Sequence, residues 1–200
     1  MNNISFDEIV TLPYIEGAII REDFPGFKED YLVLHCLIKK YTPQTFFEIG
    51  TSTGLGTKVI CNAMGLQQND SGTGRKVFSI DVPPGTDPKI TYPEGEDGHP
   101  DTAGVFCDLP YVQVFGNTCN FDFSPYYPIE GWFIDGKHDY QHVKNDTEQA
   151  LKSNPLIIVW HDMQIQGVSD AVMTVMEHDD RYSLFQAADT RMAFTVKKGE

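Results

Sequence analysis

The chain has 200 residues, a length that suits one domain with a full hydrophobic core. Its 29 acidic and 15 basic residues give a net charge of −14, which argues against a nucleic-acid partner, because a phosphate backbone requires a basic face. No apolar run reaches the ~20 residues of a membrane span, and the first residues lack the pattern of a signal peptide, so we expect a cytoplasmic protein without a membrane partner.

Four widely separated cysteines occur in the chain: Cys36, Cys61, Cys107 and Cys119. None of them forms a C-x-x-C pair, so their spacing favours neither a zinc site nor a disulfide framework. We expect reduced thiols, as in other intracellular proteins.

The first forty residues are expected to hold an irregular leader and then a helix. Residues 1–26 contain two prolines and two glycines, which predict irregular structure with one short strand near Tyr14–Ile19. From residue 27 to residue 40, apolar side chains recur at intervals of three and four, which predicts a helix.

A strand, a glycine-rich turn and a helix follow in direct succession. The β-prone run Thr45–Ile49 precedes three glycines within residues 50–56, and an apolar-periodic segment covers residues 58–64. Such a unit presents backbone N–H groups to a ligand at a helix N-terminus. The order G-x-x-x-G-x-G differs from the dinucleotide fingerprint G-x-G-x-x-G, and Glu48 stands two residues before the first glycine. Taken alone, the turn is equally compatible with a tight connection that binds nothing.

The next strand, Lys76–Ile80, ends at Asp81. A carboxylate in that position can accept hydrogen bonds from both hydroxyls of a ribose, although an aspartate before two prolines can also serve only to form a turn. Residues 82–110 follow, with six prolines, four glycines and six acids. This composition predicts either a disordered surface loop or a lid over a ligand.

The second half of the chain alternates strands and helices. We predict strands at Tyr111–Phe115, Gly131–Ile134 and Leu156–Trp160, helices at Tyr140–Lys152 and Val168–His178, and an antiparallel pair at Tyr182–Phe185 and Met192–Val196. The pattern predicts an α/β fold for residues 1–200 as a single domain. Its doubly wound, mostly parallel, Rossmann-like sheet should contain about seven strands, with an antiparallel C-terminal pair.

Four predicted strands end in polar residues: Glu48 with Gly50, Asp81, Asp135, and His161 with Asp162. The carboxyl ends of parallel strands converge on one crevice in an open sheet. These residues are therefore expected to line a common site.

The segment Trp132–Tyr140 reads W-F-I-D-G-K-H-D-Y, and the helix after it contains Val143 and Asp146. With the H-D pair that ends the strand Leu156–Trp160, this pattern resembles small bacterial class I S-adenosylmethionine-dependent methyltransferases, whose first motif the glycine turn also resembles. The resemblance extends from Thr45 to Asp162. It departs from the family at residues 153–155, which read Ser-Asn-Pro in place of a Pro-Gly-Gly turn.

The resemblance implies an enzyme that transfers a methyl group from S-adenosylmethionine to a hydroxyl oxygen of a small-molecule substrate. It implies cofactor contacts from Glu48, Gly50, Thr51, Ser52, Gly54, Gly56, Asp81, Asn117 and Asp135. In this scheme Glu48 and the glycine turn hold the methionine portion, Asp81 holds the ribose and Asn117 lies beside the adenine.

The resemblance also places Asp135 and His138 against the substrate, with His138 as a candidate general base, since an imidazole titrates near neutral pH. Some relatives bind a divalent metal at the same strand ends, which implies Asp135, His161 and Asp162 as ligands for Mg²⁺ or Mn²⁺. Structural roles remain open: His138 can be held by either aspartate, and Asp162 can cap the next helix.

Two other functions remain open at this point. An NAD-dependent oxidoreductase could use the same ribose-binding carboxylate, but the glycine order and the lack of a Tyr-x-x-x-Lys pair disfavour it. A non-catalytic nucleoside-binding protein could keep the same fold without the reaction.

Overall fold

The computed structural model describes residues 1–11, 14–15, 18, 28–68, 74–83 and 103–199. The strands are β1 (Asn2–Ile4), β2 (Thr45–Ile49), β3 (Lys76–Asp81), β4 (Val112–Phe115), β5 (Gly131–Ile134), β6 (Ile157–Trp160), β7 (Tyr182–Ala187) and β8 (Ala193–Lys197). The helices are α1 (Phe6–Ile9), α2 (Lys28–Tyr41), α3 (Leu55–Ala63), α4 (Tyr140–Lys152) and α5 (Gln166–Met176). No helix among these residues combines the length and apolar character that a bilayer span requires.

All eight strands belong to one sheet in the order β1-β7-β8-β6-β5-β2-β3-β4. Every neighbouring pair is parallel except the two pairs that include β8. The predicted fold is confirmed: the sheet is mostly parallel and closes with an antiparallel C-terminal pair. Because β6, β5, β2 and β3 are adjacent and parallel, their carboxyl ends lie along one edge.

Each face of the sheet packs against its own helices. One face, which includes Phe46, packs with α2 and α3, whereas the other, which includes Phe47, packs with α4 and α5. All four residues of β6 are buried, as the unbroken apolar run Ile157–Trp160 predicts for a strand covered on both faces.

The two tryptophans lie in the core, and each indole has an acceptor. Trp160 Nε1 donates to Thr147 Oγ1 at 2.9 Å, and Trp132 Nε1 donates to Ser153 Oγ at 2.9 Å. Ser153 belongs to the Ser-Asn-Pro turn that departs from the family pattern. Asn154, beside it, has a φ of +52°, a conformation that glycine or asparagine adopts most readily. The Ser-Asn-Pro turn therefore supplies the acceptor for one core indole.

The N-terminal segment differs from the expected irregular leader. Residues 2–4 form β1, which pairs with β7, and Ser5 caps α1 through a capping box with Glu8. A three-residue polar strand has no periodicity of its own, so only its pairing partner reveals it. Tyr14 and Ile15 lie in a turn rather than a strand, and most of the remaining leader is outside the described residues.

Residues 82–110, predicted as a loop or a lid, are described only at their two ends. Residues 84–102 lie outside the described part of the chain, so the prediction for them stays a prediction. At the second end, Gly104 and Phe106 contact the glycine turn, as set out below.

Candidate active site

The turn between β2 and α3 is pressed against two other parts of the backbone. Gly50 (φ +98°) and Gly54 (φ +85°) occupy the left-handed region that favours glycine. A Cβ on Gly50 would collide with the backbone carbonyl of Asp135, and one on Gly54 would stand 2.6 Å from Cα of Gly104. The turn therefore contacts the end of β5 on one side and the residues before β4 on the other.

Residues 103–108, which we call the strap, cross this turn. The Gly104 N–H donates to the Ser52 carbonyl at 2.9 Å, and the Phe106 N–H donates to the Thr53 carbonyl at 2.8 Å. Two backbone hydrogen bonds thus hold the strap on the segment that the sequence assigns to cofactor binding.

A buried polar network surrounds Glu48, which is 1% exposed and lies beneath the turn. One carboxyl oxygen of Glu48 accepts hydrogen bonds from Thr57 and, at 2.5 Å, from Ser79. Ser79 also bonds Thr51 at 2.6 Å, and Gln113 Nε2 donates to Thr51 at 2.9 Å. Burial raises the pKa of Glu48 to about 8, against the lowering effect of the two hydroxyls, so this carboxyl is protonated at neutral pH.

Asp81 lies at the end of β3 and is tied to the same turn. Its Oδ2 accepts the Ser52 N–H at 2.6 Å, and its Oδ1 accepts the Val82 N–H at 2.7 Å. Burial raises its pKa despite these bonds. Asn117, at the end of β4, is exposed and caps a short 3₁₀ turn, with its side chain accepting the Cys119 N–H at 3.0 Å.

Two histidines and two aspartates converge where β5 and β6 end. His161 Nδ1 lies 3.2 Å from Asp135 Oδ1 and 3.2 Å from Asp162 Oδ2. His138 Nε2 lies 3.6 Å and 3.3 Å from the same two oxygens. The structure thus brings together all four residues that the sequence analysis selected as catalytic or metal-binding candidates.

Two further residues reach this cluster from distant parts of the chain. Asp30, in the first turn of α2, is 1% exposed and lies 3.1 Å from His161 Nε2 through its Oδ2. Arg191, between β7 and β8, donates to Asp30 Oδ2 from Nε at 2.8 Å and from a terminal nitrogen at 2.6 Å. The other terminal nitrogen of Arg191 lies 3.5 Å from Asp162 Oδ1.

The charges of this cluster determine its protonation. Burial disfavours ionisation of Asp30, Asp135 and Asp162, but the neighbouring His161 and, for Asp30, Arg191 outweigh it and lower their pKa values. Burial also opposes a charge on His161, yet its carboxylate neighbours, Asp135 foremost, raise its pKa to about 12. In this arrangement the imidazolium of His161 is itself the cation between the carboxylates.

The donor set also has the chemistry of a divalent-metal site. Asp135, His161 and Asp162 each offer one ligand atom, and these atoms all lie within 4.8 Å of one another. Asp30 lies beside Nε2 of His161, the ring nitrogen that faces away from Asp135 and Asp162. Metal-binding histidines commonly donate their second ring N–H to a carboxylate in this way. Asp162 does not cap the next helix, because Ile165 occupies the N-cap of α5, and Asp162 instead accepts from Gln164 Nε2 at 2.8 Å.

Sequence reasoning missed Asp30, Tyr31 and Arg191. Burial and then the charges of Asp135 and Glu48 raise the pKa of Tyr31. From the sequence alone, Asp30 would be interpreted as an acid that stabilises the helix dipole in the first turn of a helix, and Arg191 as a surface residue of a hairpin. No local signal distinguishes them from such residues.

Neither the protein-family models nor the curated proteins match this chain. Solved structures do. An O-methyltransferase from Bacillus cereus in complex with SAH aligns with a TM-score of 0.58 at 15% identity, over 92% of this chain and 84% of that one. TomG, an O-methyltransferase of tomaymycin synthesis from Streptomyces achromogenes in complex with SAM, aligns at 0.57 and 14% identity, over 88% and 84%.

CalS11, a TDP-rhamnose 3′-O-methyltransferase of calicheamicin biosynthesis, aligns with a TM-score of 0.57 at 16% identity, over 86% of this chain and 79% of that one. The chain therefore has the fold of the S-adenosylmethionine-dependent O-methyltransferases along most of its length. At this identity the shared architecture does not transfer any neighbour's substrate, so the activity rests on the geometry described above.

Proposed function

We propose that this protein is a class I S-adenosylmethionine-dependent methyltransferase that acts on a hydroxyl oxygen of a small molecule. The observation that carries the proposal is the common edge of the sheet. Four adjacent parallel strands, β3, β2, β5 and β6, end at this edge. Asp81, the carboxylate proposed for the ribose, ends β3, the glycine turn follows β2, and the histidine–aspartate cluster follows β5 and β6. A cofactor along this edge would present its methyl group to the cluster.

On the cofactor side, the proposed contacts are Glu48, Gly50, Thr51, Ser52, Gly54, Gly56, Asp81, Asn117 and Asp135. The hydrogen bond from the Ser52 N–H to Asp81 supports this set, because it joins the turn to the carboxylate proposed for the ribose. The neutral Glu48 lies under the turn, bonded to hydroxyl groups, and is proposed to support the methionine-binding backbone from below.

Calorimetry with S-adenosylhomocysteine tests the cofactor site. Asp81→Ala should weaken binding by about 1.5–3 kcal/mol, the range for hydrogen bonds to a charged group. Asp180→Ala is the matched control, since Asp180 is an exposed aspartate beyond α5. Equal affinity in the two variants would remove Asp81 from the site, and no binding by the unmodified protein would refute the proposed cofactor.

The reacting end of the site is assigned to His138 and Asp135. When S-adenosylmethionine is bound, its sulfonium supplies an activated methyl group. We propose that His138 Nε2–H donates to Asp162, which leaves Nδ1 to accept the hydroxyl proton of the substrate. Asp135 and Asp162 would then stabilise the imidazolium that forms when His138 takes this proton.

A divalent metal, Mg²⁺ or Mn²⁺, is the second proposed cofactor. Asp135, His161 and Asp162 would hold it, with Asp30 orienting His161. Its chemistry there would be to lower the pKa of the bound hydroxyl. Metal binding requires His161 to give up one proton, whereas in the metal-free protein the protonated His161 and Arg191 balance the carboxylates.

One experiment separates the two versions of the mechanism. If His138 is a metal-free base, methyl transfer should survive EDTA and fall by about 10²–10⁴ in His138→Ala. The matched control is His142→Ala, because His142 contacts Asp139 at 2.9 Å at the start of α4 and not the cluster. If EDTA abolishes activity and Mn²⁺ restores it, the metal version holds. Full activity in His138→Ala with EDTA present would refute both.

The alternatives make different predictions for ligand binding. An NAD-dependent oxidoreductase would be stabilised against heat by NADH and not by S-adenosylhomocysteine, since a ligand of the native state stabilises by mass action. A non-catalytic relative would bind S-adenosylhomocysteine without methylating any acceptor. The proposal also includes a cytoplasmic location and no nucleic-acid partner, with the four free thiols and the net charge of −14 in support.

A further inference from the structure

Gln113, in β4, connects the glycine turn with the residue on which the strap lies. Its Oε1 accepts a hydrogen bond from the Tyr111 hydroxyl at 3.1 Å. Its Nε2 donates to Thr51 Oγ1 at 2.9 Å and to the backbone carbonyls of Ser79 and Val114 at 3.1 Å and 3.0 Å. A flipped amide would turn its oxygen towards both carbonyls, so the surroundings of the side chain fix its orientation.

The orientation of Gln113 determines the direction of the hydrogen bonds around Glu48. The Thr51 oxygen accepts from Gln113, whose nitrogen cannot accept in return, so the Thr51 hydroxyl gives its proton to Ser79 at 2.6 Å. Ser79 then donates to Glu48 Oε2 at 2.5 Å, and this oxygen also accepts from Thr57. Gln113 therefore sets the order of donors and acceptors in the whole network beneath the turn.

The strap lies on the hydrogen bond between Tyr111 and Gln113. A Cβ built on Gly104, which has φ +74°, would stand 1.8 Å from the Tyr111 hydroxyl oxygen and 3.6 Å from Gln113 Oε1. On its other side, the Gly104 N–H donates to the carbonyl of Ser52. Because Thr51 directly precedes Ser52, Gln113 supports this contact from both ends, the turn through Thr51 and the strap through Tyr111.

We propose that Gln113 is a positioning residue of the cofactor site, which holds the glycine turn and the strap in the arrangement that binds S-adenosylhomocysteine. It acts through Thr51 and Tyr111 rather than by contact with the cofactor. Without its amide, Thr51 loses a donor and Tyr111 loses an acceptor, so the turn and the strap both gain freedom. The statement about the cofactor rests on the proposed function, whereas the link between Gln113 and the strap does not.

Two substitutions divide this link into its parts. Gln113→Met keeps the length of the side chain and removes both of its hydrogen-bonding ends. Tyr111→Phe removes only a hydroxyl and leaves the bonds of Gln113 Nε2 in place. Gln141→Met is the matched control, since Gln141 is an exposed glutamine on α4. Urea unfolding establishes the conditions under which every variant is folded.

The first test measures hydrogen exchange at the Gly104 and Phe106 amides, whose bonds hold the strap on the turn. Exchange should become about tenfold faster in Gln113→Met and in Tyr111→Phe, and it should stay unaltered in Gln141→Met. Exchange in Gln113→Met at the rate of the unmodified protein would overturn the link. No ligand is present in this test, so its result is independent of the proposed function.

The second test is calorimetry with S-adenosylhomocysteine on the folded variants. Gln113→Met should weaken binding by about tenfold, and Tyr111→Phe by a smaller factor, because Thr51 keeps its donor. The double variant should bind no more weakly than Gln113→Met alone, since Tyr111 acts through Gln113.

A residue with only a structural role would lower the stability and leave the affinity of the folded protein unaltered. Unaltered affinity in Gln113→Met would therefore refute the positioning role. If the unmodified protein does not bind S-adenosylhomocysteine but Gln113→Met still speeds exchange at the strap, the proposed function fails while the link between Gln113 and the strap stands.

Discussion

Replacement of Asp30 by asparagine should weaken the fold more than any single surface change, although it exchanges only one heavy atom. The carboxylate is buried and receives the Arg191 backbone N–H at 3.0 Å, two guanidinium hydrogen bonds and His161 Nε2 at 3.1 Å. An asparagine of the same shape removes the negative charge. It also turns an NH₂ group towards a site where every neighbour is a donor.

The magnitude of the loss follows from the burial of Asp30 and of its two partner residues, Arg191 and His161. Removal of one member of a buried ion pair costs about 3–5 kcal/mol, because the remaining charge stays desolvated. Arg191 retains 27% exposure of its side chain and can turn towards water, so we expect the lower end, about 3 kcal/mol. For a chain of this length that loss corresponds to a fall in melting temperature of about 6–12 °C.

The assay is thermal and urea unfolding of both proteins at pH 7 with EDTA present, so that no metal contributes. Asp170→Asn is the matched control, since Asp170 is an exposed aspartate on α5. The same measurement at lower pH checks the electrostatic origin. The folded-state pKa of Asp30 is lowered from 3.8, so its contribution is present above that pH and is lost as the pH falls through the folded value. The difference in stability between the unmodified protein and Asp30→Asn should therefore become smaller as the pH falls.

A fall in melting temperature no larger than that of Asp170→Asn would refute the reasoning, because it would show that the four contacts of the Asp30 carboxylate contribute nothing net. A large fall that persists unchanged at low pH would point to steric disruption rather than charge.

Three other substitutions test separate features. Because the pKa of Glu48 is raised from 4.5 to about 8 in the folded protein, the unmodified protein loses stability as the pH rises through this range, and Glu48→Gln should remove that loss. Urea unfolding of Glu48→Gln should show a free energy of unfolding that exceeds that of the unmodified protein by an amount approaching about 4–5 kcal/mol at pH 8 and absent at pH 4.5. Gly54→Ala should cost at least about 1–3 kcal/mol more than Gly74→Ala, because both have positive φ but only the first meets the strap backbone; equal losses would contradict the packing. Thr147→Val should cost about 1–3 kcal/mol by depriving the Trp160 indole of its acceptor, and unaltered urea midpoints would disprove that bond's contribution.

Local patterns predicted the central elements closely. The strands Thr45–Ile49 and Gly131–Ile134 and the helix Tyr140–Lys152 lie where the sequence placed them, and the structure shows Asp139 as the cap of that helix. These elements are defined by runs of apolar residues and by capping groups a few residues away. The strand Asn2–Ile4 escaped prediction because it is stabilised by its pairing with β7.

The sequence by itself determined the sheet, the glycine turn and the polar residues at the strand ends, because each depends on neighbours within about ten residues. Only the tertiary structure revealed that Asp30 and Arg191, which are 161 positions apart, share one buried ion pair beside His161. The same holds for the strap on the glycine turn. Such contacts exist only after the sheet has brought distant segments together, since the energy of a buried charge or a backbone contact depends on what surrounds it and not on the residue's position in the chain.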